Sequence, residues 1–132
     1  MKYLIDSDFL FGLYVIHAPH HKETTRLFKR IQKNEYKLVI LNLVIQETAT
    51  VLSKKDKQET ALTFLDEIVK MPVEIMNFRD EDEKIAWKIF KKQTKKGTSF
   101  IDCANLAIAQ KYKFDGILSF DEFYKEFPSP QQ

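Results

Sequence analysis

Residues 3–14 read YLIDSDFLFGLY, and this stretch decides how the rest of the chain is interpreted. The apolar residues before Asp6 predict a short buried strand, and SDFLFGLYVI predicts a helix begun by a capping residue. Two aspartates, Asp6 and Asp8, therefore stand where a first strand turns into a first helix. Three interpretations compete: a helix cap, the nucleophile pair of a phosphatase, or one corner of a metal site.

The composition predicts one ordinary globular domain. The chain has 132 residues, of which 44% are hydrophobic, enough to bury a single core. With 21 basic and 19 acidic residues the net charge is only +2, so the overall charge does not indicate nucleic acid. A local basic face can still steer a partner.

Cysteine usage and hydropathy indicate the compartment. Cys103 is the one cysteine, which excludes an intramolecular disulfide and fits a reducing environment. The apolar start resembles a signal peptide, but Asp6 and Asp8 interrupt it. No apolar stretch has membrane-spanning length. We therefore expect a soluble, cytoplasmic protein without membrane contact.

Apolar strands alternate with helices along the chain. The predicted strands are KYLID (2–6), KLVIL (37–41), VEIMNF (73–78) and GILSF (116–120). We expect helices that begin at Pro19 and after the caps Asn42 and Ser99, and a helix stop at Gly97. A short helix, DEFYKEF, is predicted last. This order is typical of an α/β domain, residues 1–127, with a parallel sheet covered on both faces and a disordered tail at 128–132.

Four acids stand where an α/β cleft would need them. Asp6 follows the first predicted strand and Asp121 the fourth, and ligands of such sheets bind beyond the carboxyl ends of the strands. Glu47 shares a helix face with the apolar residues expected to pack inward, and Asp102 lies on a helix that is apolar in nearly every direction. Taken singly, each acid could instead be a cap, a turn residue or an outward-facing side chain.

The chemistry of such a set is restricted. A buried carboxylate must pair with a cation, bind a metal or be protonated. Oxygen ligands without histidine or thiolate favour Mg²⁺ or Mn²⁺. A cluster of His17, His20 and His21 is the less favoured metal site, because Pro19 interrupts the helix that would align them. The carboxylate site suits phosphodiester hydrolysis, in which metals activate water and neutralise the leaving oxygen.

Four motifs resemble those of the PIN-domain ribonucleases, particularly the VapC toxins of type II toxin–antitoxin pairs. They are, in chain order, LIDSDFL (4–10), NLVIQE (42–47), SFIDCANLAIAQ (99–110) and ILSFDEF (117–123). The resemblance runs from about Tyr3 to Phe127. It implies a PIN-like three-layer α/β/α sandwich with a central parallel sheet of four strands, or of five, although only KEFPSPQQ is left to supply a fifth.

The resemblance also implies roles for residues. In the family, four catalytic acids hold one or two Mg²⁺ or Mn²⁺ ions and the enzyme is an endoribonuclease. The residues of this chain that match these acids are Asp6, Glu47, Asp102 and Asp121. Ser7, Ser99 and Ser119 match small polar residues that the family has near these acids. Asp8 stands where the family often has Asn or Ser, and it is assigned only an outer-shell role.

Two lysine clusters are candidates for contact with the RNA backbone. They include Lys54 and Lys55 at the end of one predicted helix, and Lys92 and Lys96 at the end of another. The competing interpretation is a solvated helix end favoured by the helix dipole.

The resemblance implies three partners: an RNA substrate, a cognate antitoxin protein, and a second copy of the chain in a homodimer. Two alternatives stay open. One is a non-catalytic scaffold that binds RNA or protein. The other is a haloacid-dehalogenase-type phosphatase, which would need both Asp6 and Asp8.

Overall fold

Four parallel strands form the centre of the protein. The structure is a computed structural model and describes residues 1–125. The strands are β1 (Lys2–Ile5), β2 (Lys37–Leu41), β3 (Val73–Met76) and β4 (Gly116–Leu118). They lie in the order β3-β2-β1-β4, and every neighbouring pair is parallel. The predicted parallel sheet of an α/β fold is thus confirmed.

Six α-helices in residues 1–125 cover this sheet. They are α1 (Ser7–Tyr14), α2 (His21–Lys33), α3 (Asn42–Lys55), α4 (Gln58–Ile68), α5 (Asp80–Lys92) and α6 (Phe100–Lys111). The helices α1 to α4 contact one another, whereas α5 packs against α6. These two groups are the helix layers of the α/β/α arrangement.

The central strands are apolar because both of their faces are covered. Leu4 and Ile5 of β1 are at most 1% exposed, and Val39, Ile40 and Leu41 of β2 are fully buried. Continuous burial of this kind is expected for parallel strands between two helix layers. The edge strand β3 is less buried.

The strand order creates a switch point beside β1. The chain goes from β1 to β2 and β3 on one side, and later returns to place β4 on the other side. Asp6 follows β1 directly, and its backbone N–H donates to the carbonyl of Leu118, the last residue of β4. The loops after β1 and β4 therefore meet where ligands of such sheets bind.

Three predicted helix boundaries are wrong. Helix α2 begins at His21 and leaves Pro19 in the preceding turn. Asn42 is the first residue of α3 rather than its cap, because its side-chain oxygen accepts a hydrogen bond from the N–H of Phe78. Helix α5 ends at Lys92, and Gly97 lies in the following loop with a positive φ of 88°.

The first and the last predicted helices also differ from the prediction. Helix α1 ends at Tyr14 because Val15 has extended backbone angles. The last predicted helix is only a 3₁₀ turn at Glu122–Tyr124 within the described residues. The tail at 128–132, the boundary at 127 and any fifth strand lie outside those residues. No helix in residues 1–125 combines the length and apolarity needed to cross a membrane.

Candidate active site

Asp6 lies at the centre of the candidate site. Its side chain is 3% exposed and accepts three hydrogen bonds. The N–H of Ser7 donates to Oδ1 at 2.8 Å, the amide of Asn105 donates to the same oxygen at 3.1 Å, and the hydroxyl of Ser119 donates to Oδ2 at 3.1 Å. Asp6 is also the N-cap of α1, so the cap and metal-site interpretations of the first motif describe the same residue.

Glu47 reaches the site from α3. Ser7 donates a hydrogen bond from its hydroxyl to Oε1 of Glu47 at 2.5 Å. Val44, one turn before Glu47, and Thr48, the next residue along the helix, are both fully buried. The predicted inward face of this helix is therefore the one that packs, and Glu47 lies at its edge beside the start of α1.

Asp102 is held at the first turn of α6 by a reciprocal cap. The hydroxyl of Ser99 accepts from the N–H of Asp102 at 3.1 Å, while Oδ2 of Asp102 accepts from the N–H of Ser99 at 3.0 Å. Oδ1 of Asp102 accepts from the hydroxyl of Tyr124 at 3.1 Å. Ser99 thus positions the third acid by capping its helix.

Asp8 is more closely tied to the site than the sequence indicated. It does not cap the helix that follows it. Its Oδ2 accepts from the N–H of Phe120 at 2.9 Å and from the hydroxyl of Ser119 at 3.2 Å, and both donors follow β4. Ser119 therefore bridges Asp6 and Asp8. The other oxygen of Asp8 is buried and has no hydrogen-bond partner among residues 1–125.

Asp121 stands apart from the other acids. Its Oδ1 lies 2.7 Å from Nζ of Lys95 and also accepts from the N–H of Phe123. The Lys95 ammonium holds the pKa of Asp121 below its usual value, although partial burial acts in the opposite direction. The structure thus places Asp121 at the rim, already paired with a cation.

The remaining acids repel one another. Burial raises the pKa of Asp6 well above its usual value, and the carboxylates of Asp8, Asp102 and Glu47 raise it further. Burial likewise raises the pKa of Glu47 and of Asp8. Like charges that raise each other's pKa in a partly buried cleft are a mark of a functional site.

The donor chemistry fits a hard divalent cation, but the side chains do not form a finished cage. No group of three or more Asp, Glu, His or Cys in residues 1–125 is placed so that it could hold a metal ion. The acids instead accept hydrogen bonds from Ser7, Ser99, Ser119 and Tyr124. The predicted ligand set Asp6, Glu47, Asp102 and Asp121 stays a prediction that requires these side chains to turn toward a common ion.

Two residues of the site were not singled out from the sequence. Asn105 is fully buried and donates to Asp6 and to the hydroxyl of Tyr124. Its own Oδ1 accepts no hydrogen bond from the residues that the structure describes. Burial, together with Asp6 and Asp102, raises the pKa of Tyr124 well above its usual value. The available signal was an amide one turn after Asp102 on a helix that is otherwise apolar.

The predicted basic contacts are not placed at the acids. Lys54, Lys55, Lys92 and Lys96 are exposed at or beyond helix ends, and Lys95 is the lysine that reaches Asp121. Their contact with RNA stays a prediction.

The three histidines do not meet. His17 lies 3.8 Å from Asp56, His20 stacks on Phe120, and Nδ1 of His21 is 2.8 Å from the carbonyl of Gly12. A shared histidine metal site is absent from the part of the chain that the structure describes.

Comparison with known proteins shows the family and the fold of this chain. The sequence matches the PIN domain family over residues 3–129. No curated protein matches significantly. Among solved structures, the fold is similar to the toxin VapC20 of Mycobacterium tuberculosis, described as cleaving the sarcin-ricin loop, with a TM-score of 0.87, 19% identity and coverage of 96% of this chain and 97% of that chain.

A second solved structure is VapBC2 from Rickettsia felis, bound to a DNA fragment from its promoter. The TM-score is 0.70 at 19% identity, with coverage of 98% of this chain and 95% of that chain. At such identities the two structures show the shared fold alone. The match over residues 3–129 is to a family other than the haloacid-dehalogenase phosphatases, and it leaves that alternative without support. The chain belongs to the PIN domain family.

Proposed function

We propose that this protein is a metal-dependent endoribonuclease and the toxin of a toxin–antitoxin pair. The observation that carries the proposal is the set of mutually repelling carboxylates, Asp6, Asp8, Glu47 and Asp102, at the switch point of a PIN-family sheet. No described lysine or arginine forms an ion pair with these acids in residues 1–125. A cation from solution would remove this repulsion.

Under this proposal, Asp6, Glu47, Asp102 and Asp121 hold one or two Mg²⁺ or Mn²⁺ ions. When bound, such ions lower the pKa of the attacking water and neutralise charge on the leaving oxygen of the phosphodiester. The products would be a 3′-hydroxyl and a 5′-phosphate.

Neighbouring side chains orient the acids. Ser119 fixes Asp6 relative to Asp8, and Ser7 fixes Glu47 at the start of α1. Asn105 and Tyr124 connect Asp6 to Asp102 through three hydrogen bonds. Such outer contacts set ligand direction and affect metal affinity strongly.

The proposed partners are an RNA substrate, a cognate antitoxin and a second copy of the chain in a homodimer, acting in the cytoplasm. The toxin assignment is supported by family membership and by the similarity in fold to VapC20 and to the VapC-containing complex VapBC2.

The test is cleavage of RNA by the purified protein with Mg²⁺ or Mn²⁺. We expect cleavage by the wild type, and a loss of about 100-fold or more for Asp6→Asn and Asp102→Asn. The matched control is Asp66→Asn, which changes an exposed acid on α4. Equal cleavage by all four proteins would show that the assigned site is wrong.

One observation favours a second function, a non-catalytic scaffold. No three acids in residues 1–125 are placed so that they could bind one metal ion together. Titration calorimetry with Mn²⁺ distinguishes the two functions. Heat of binding that Asp6→Asn abolishes supports the nuclease, and no heat in the wild type supports the scaffold.

A further inference from the structure

Helix α2 carries most of the basic character of the protein. Its 13 residues include five cations and one anion, a charge of +4, whereas the whole chain carries +2. The lysine-rich helix α5 differs, because its four lysines are matched by four acids in its first turn. Helix α2 is therefore a local basic element in a protein that is otherwise slightly acidic.

Four of these cations lie on a single outward line. At 100° per residue, Lys22, Arg26, Lys29 and Lys33 fall within about 60° of one another and span about 17 Å along the helix. All four are exposed, and they lie opposite the buried residues of α2, which are Thr24, Leu27 and Ile31. We refer to Lys22, Arg26, Lys29 and Lys33 as the α2 basic stripe.

The α2 basic stripe has no ion-pair partner among residues 1–125. None of its four side chains forms an ion pair or hydrogen bond with another residue of the range 1–125. His21, Lys22, Thr25, Arg26 and Lys29 line a shallow depression of about 360 Å³. A concave, positively charged surface without a paired acid in the described part of the chain suits a polyanion.

The stripe begins beside the acids. The ring of His20 stacks on the ring of Phe120 with centroids 3.9 Å apart, and the N–H of Phe120 donates to Asp8. The start of α2 is thus connected to Asp8 through Phe120. From there α2 runs away from the acids. It ends at Lys33, shortly before β2 begins at Lys37, at the amino-terminal ends of the strands.

We propose that the α2 basic stripe binds the phosphate backbone of the RNA on one side of the bond to be cut. This inference rests on the proposed nuclease function and adds the path of the substrate. It assigns the backbone contact to α2 rather than to the lysines at the ends of α3 and α5. Cations that contact only phosphates position RNA without reading its sequence.

The experiment measures RNA binding in a background that cannot cut. Asp6→Asn protein carries Lys22→Gln, Arg26→Gln and Lys29→Gln, and binding to a labelled single-stranded RNA of mixed sequence is followed across KCl concentrations. The matched control carries Lys70→Gln, Lys84→Gln and Lys88→Gln, which remove the same charge at exposed positions elsewhere. Circular dichroism confirms that each variant is folded.

We expect the stripe variant to bind RNA about tenfold or more weakly at low salt. Its slope of log Kd against log salt should fall by about 2, or about 0.7 for each lost phosphate contact on a single strand. The control should keep the original slope. In protein with Asp6 restored, the stripe variant should raise KM for RNA and leave kcat unchanged.

Two results would overturn the inference. One is an equal loss of RNA affinity in the stripe variant and the control. The other is unchanged RNA binding by the stripe variant combined with lost binding to an antitoxin, which would make the stripe a protein interface. Absence of cleavage by the unsubstituted protein, with stripe-dependent RNA binding retained, would overturn the nuclease proposal and leave the stripe as an RNA-binding surface.

Discussion

Asn105 donates a hydrogen bond from its side-chain amide to Oδ1 of Asp6 at 3.1 Å, joining residues 99 positions apart in the sequence. The same amide donates to Tyr124, which in turn donates to Asp102. One buried amide thus ties the acid at the end of β1 to the acid on α6. Its Oδ1, which has no hydrogen-bond partner within the described range 1–125, adds a further uncharged acceptor to the cleft.

Replacement of Asn105 should therefore impair catalysis. We expect Asn105→Ala to lower the rate of RNA cleavage by about 10- to 100-fold, because outer contacts that orient metal ligands have effects of this size. The loss should be largest at low Mn²⁺, which distinguishes a positioning role from a general loss of structure. The measurement is the cleavage rate across Mn²⁺ concentrations, with Gln110→Ala as the exposed control on the same helix. Equal rates for the two variants would contradict the assignment.

The acid cluster should make the metal-free protein less stable as the pH rises. The folded-state pKa values of Asp6, Asp8 and Glu47 lie above their ordinary values, so the folded protein binds more protons than the unfolded chain. Stability is then greatest below the ordinary carboxylate pKa and is lost as the pH rises through the folded-state pKa. Asp121 has a lowered pKa and acts in the opposite direction.

Thermal unfolding in EDTA measures this effect. We expect Asp6→Asn to raise Tm at neutral pH by about 3 °C or more, since about 1 kcal/mol shifts Tm by that amount in a domain of this size. The difference should shrink toward pH 4, and Mn²⁺ should raise Tm for the wild type only. A lower Tm for Asp6→Asn at neutral pH would show that the carboxylate repulsion is not destabilising.

The strand-end acids could be predicted because local pattern determines them. Asp6 ends an apolar run and Asp121 follows another, and the rule for parallel sheets places both at one edge whatever the details of packing. Ser99 could be predicted in the same way, because a capping residue three positions before an acid is a local sequence signal. These residues need no knowledge of which helices touch.

Other features depend on contacts that the sequence does not state. The role of Asp8 comes from donors 111 and 112 residues away, and Asn105 is identified as a site residue only by its contact with Asp6. Helix ends were also missed. Helix α5 ends at Lys92, before the stop signal at Gly97, and the loop that follows carries Lys95, which contacts Asp121.

Lys95 should compete with metal for Asp121. Its Nζ lies 2.7 Å from Oδ1, and this contact holds the carboxylate as an ion pair. We expect Lys95→Gln to tighten Mn²⁺ binding by about two- to fivefold at low salt, because a nearby positive charge opposes the ion through a well-solvated medium. Calorimetric titration without RNA gives the measurement, and Lys88→Gln is the exposed control. Weaker Mn²⁺ binding by Lys95→Gln would show that the ammonium helps to arrange the site.

The close approach of α1 to α2 should make Gly12 sensitive to any side chain. A Cβ at this position would lie 2.9 Å from Cγ2 and 3.2 Å from Oγ1 of Thr24. Thr24 cannot easily rotate away, because it is fully buried and its hydroxyl donates to the carbonyls of His20 and His21.

Alanine gains about 1 kcal/mol of helix propensity over glycine, whereas overpacking costs about 1–3 kcal/mol. Because Thr24 is held in place, the upper part of this cost, about 2–3 kcal/mol, applies, and we expect Gly12→Ala to lower the free energy of unfolding by about 1–2 kcal/mol in urea denaturation. Adding Thr24→Ser removes Cγ2, keeps the hydroxyl and should restore part of the loss. Gly12→Ala protein as stable as the wild type would mean that the two helices can move apart freely.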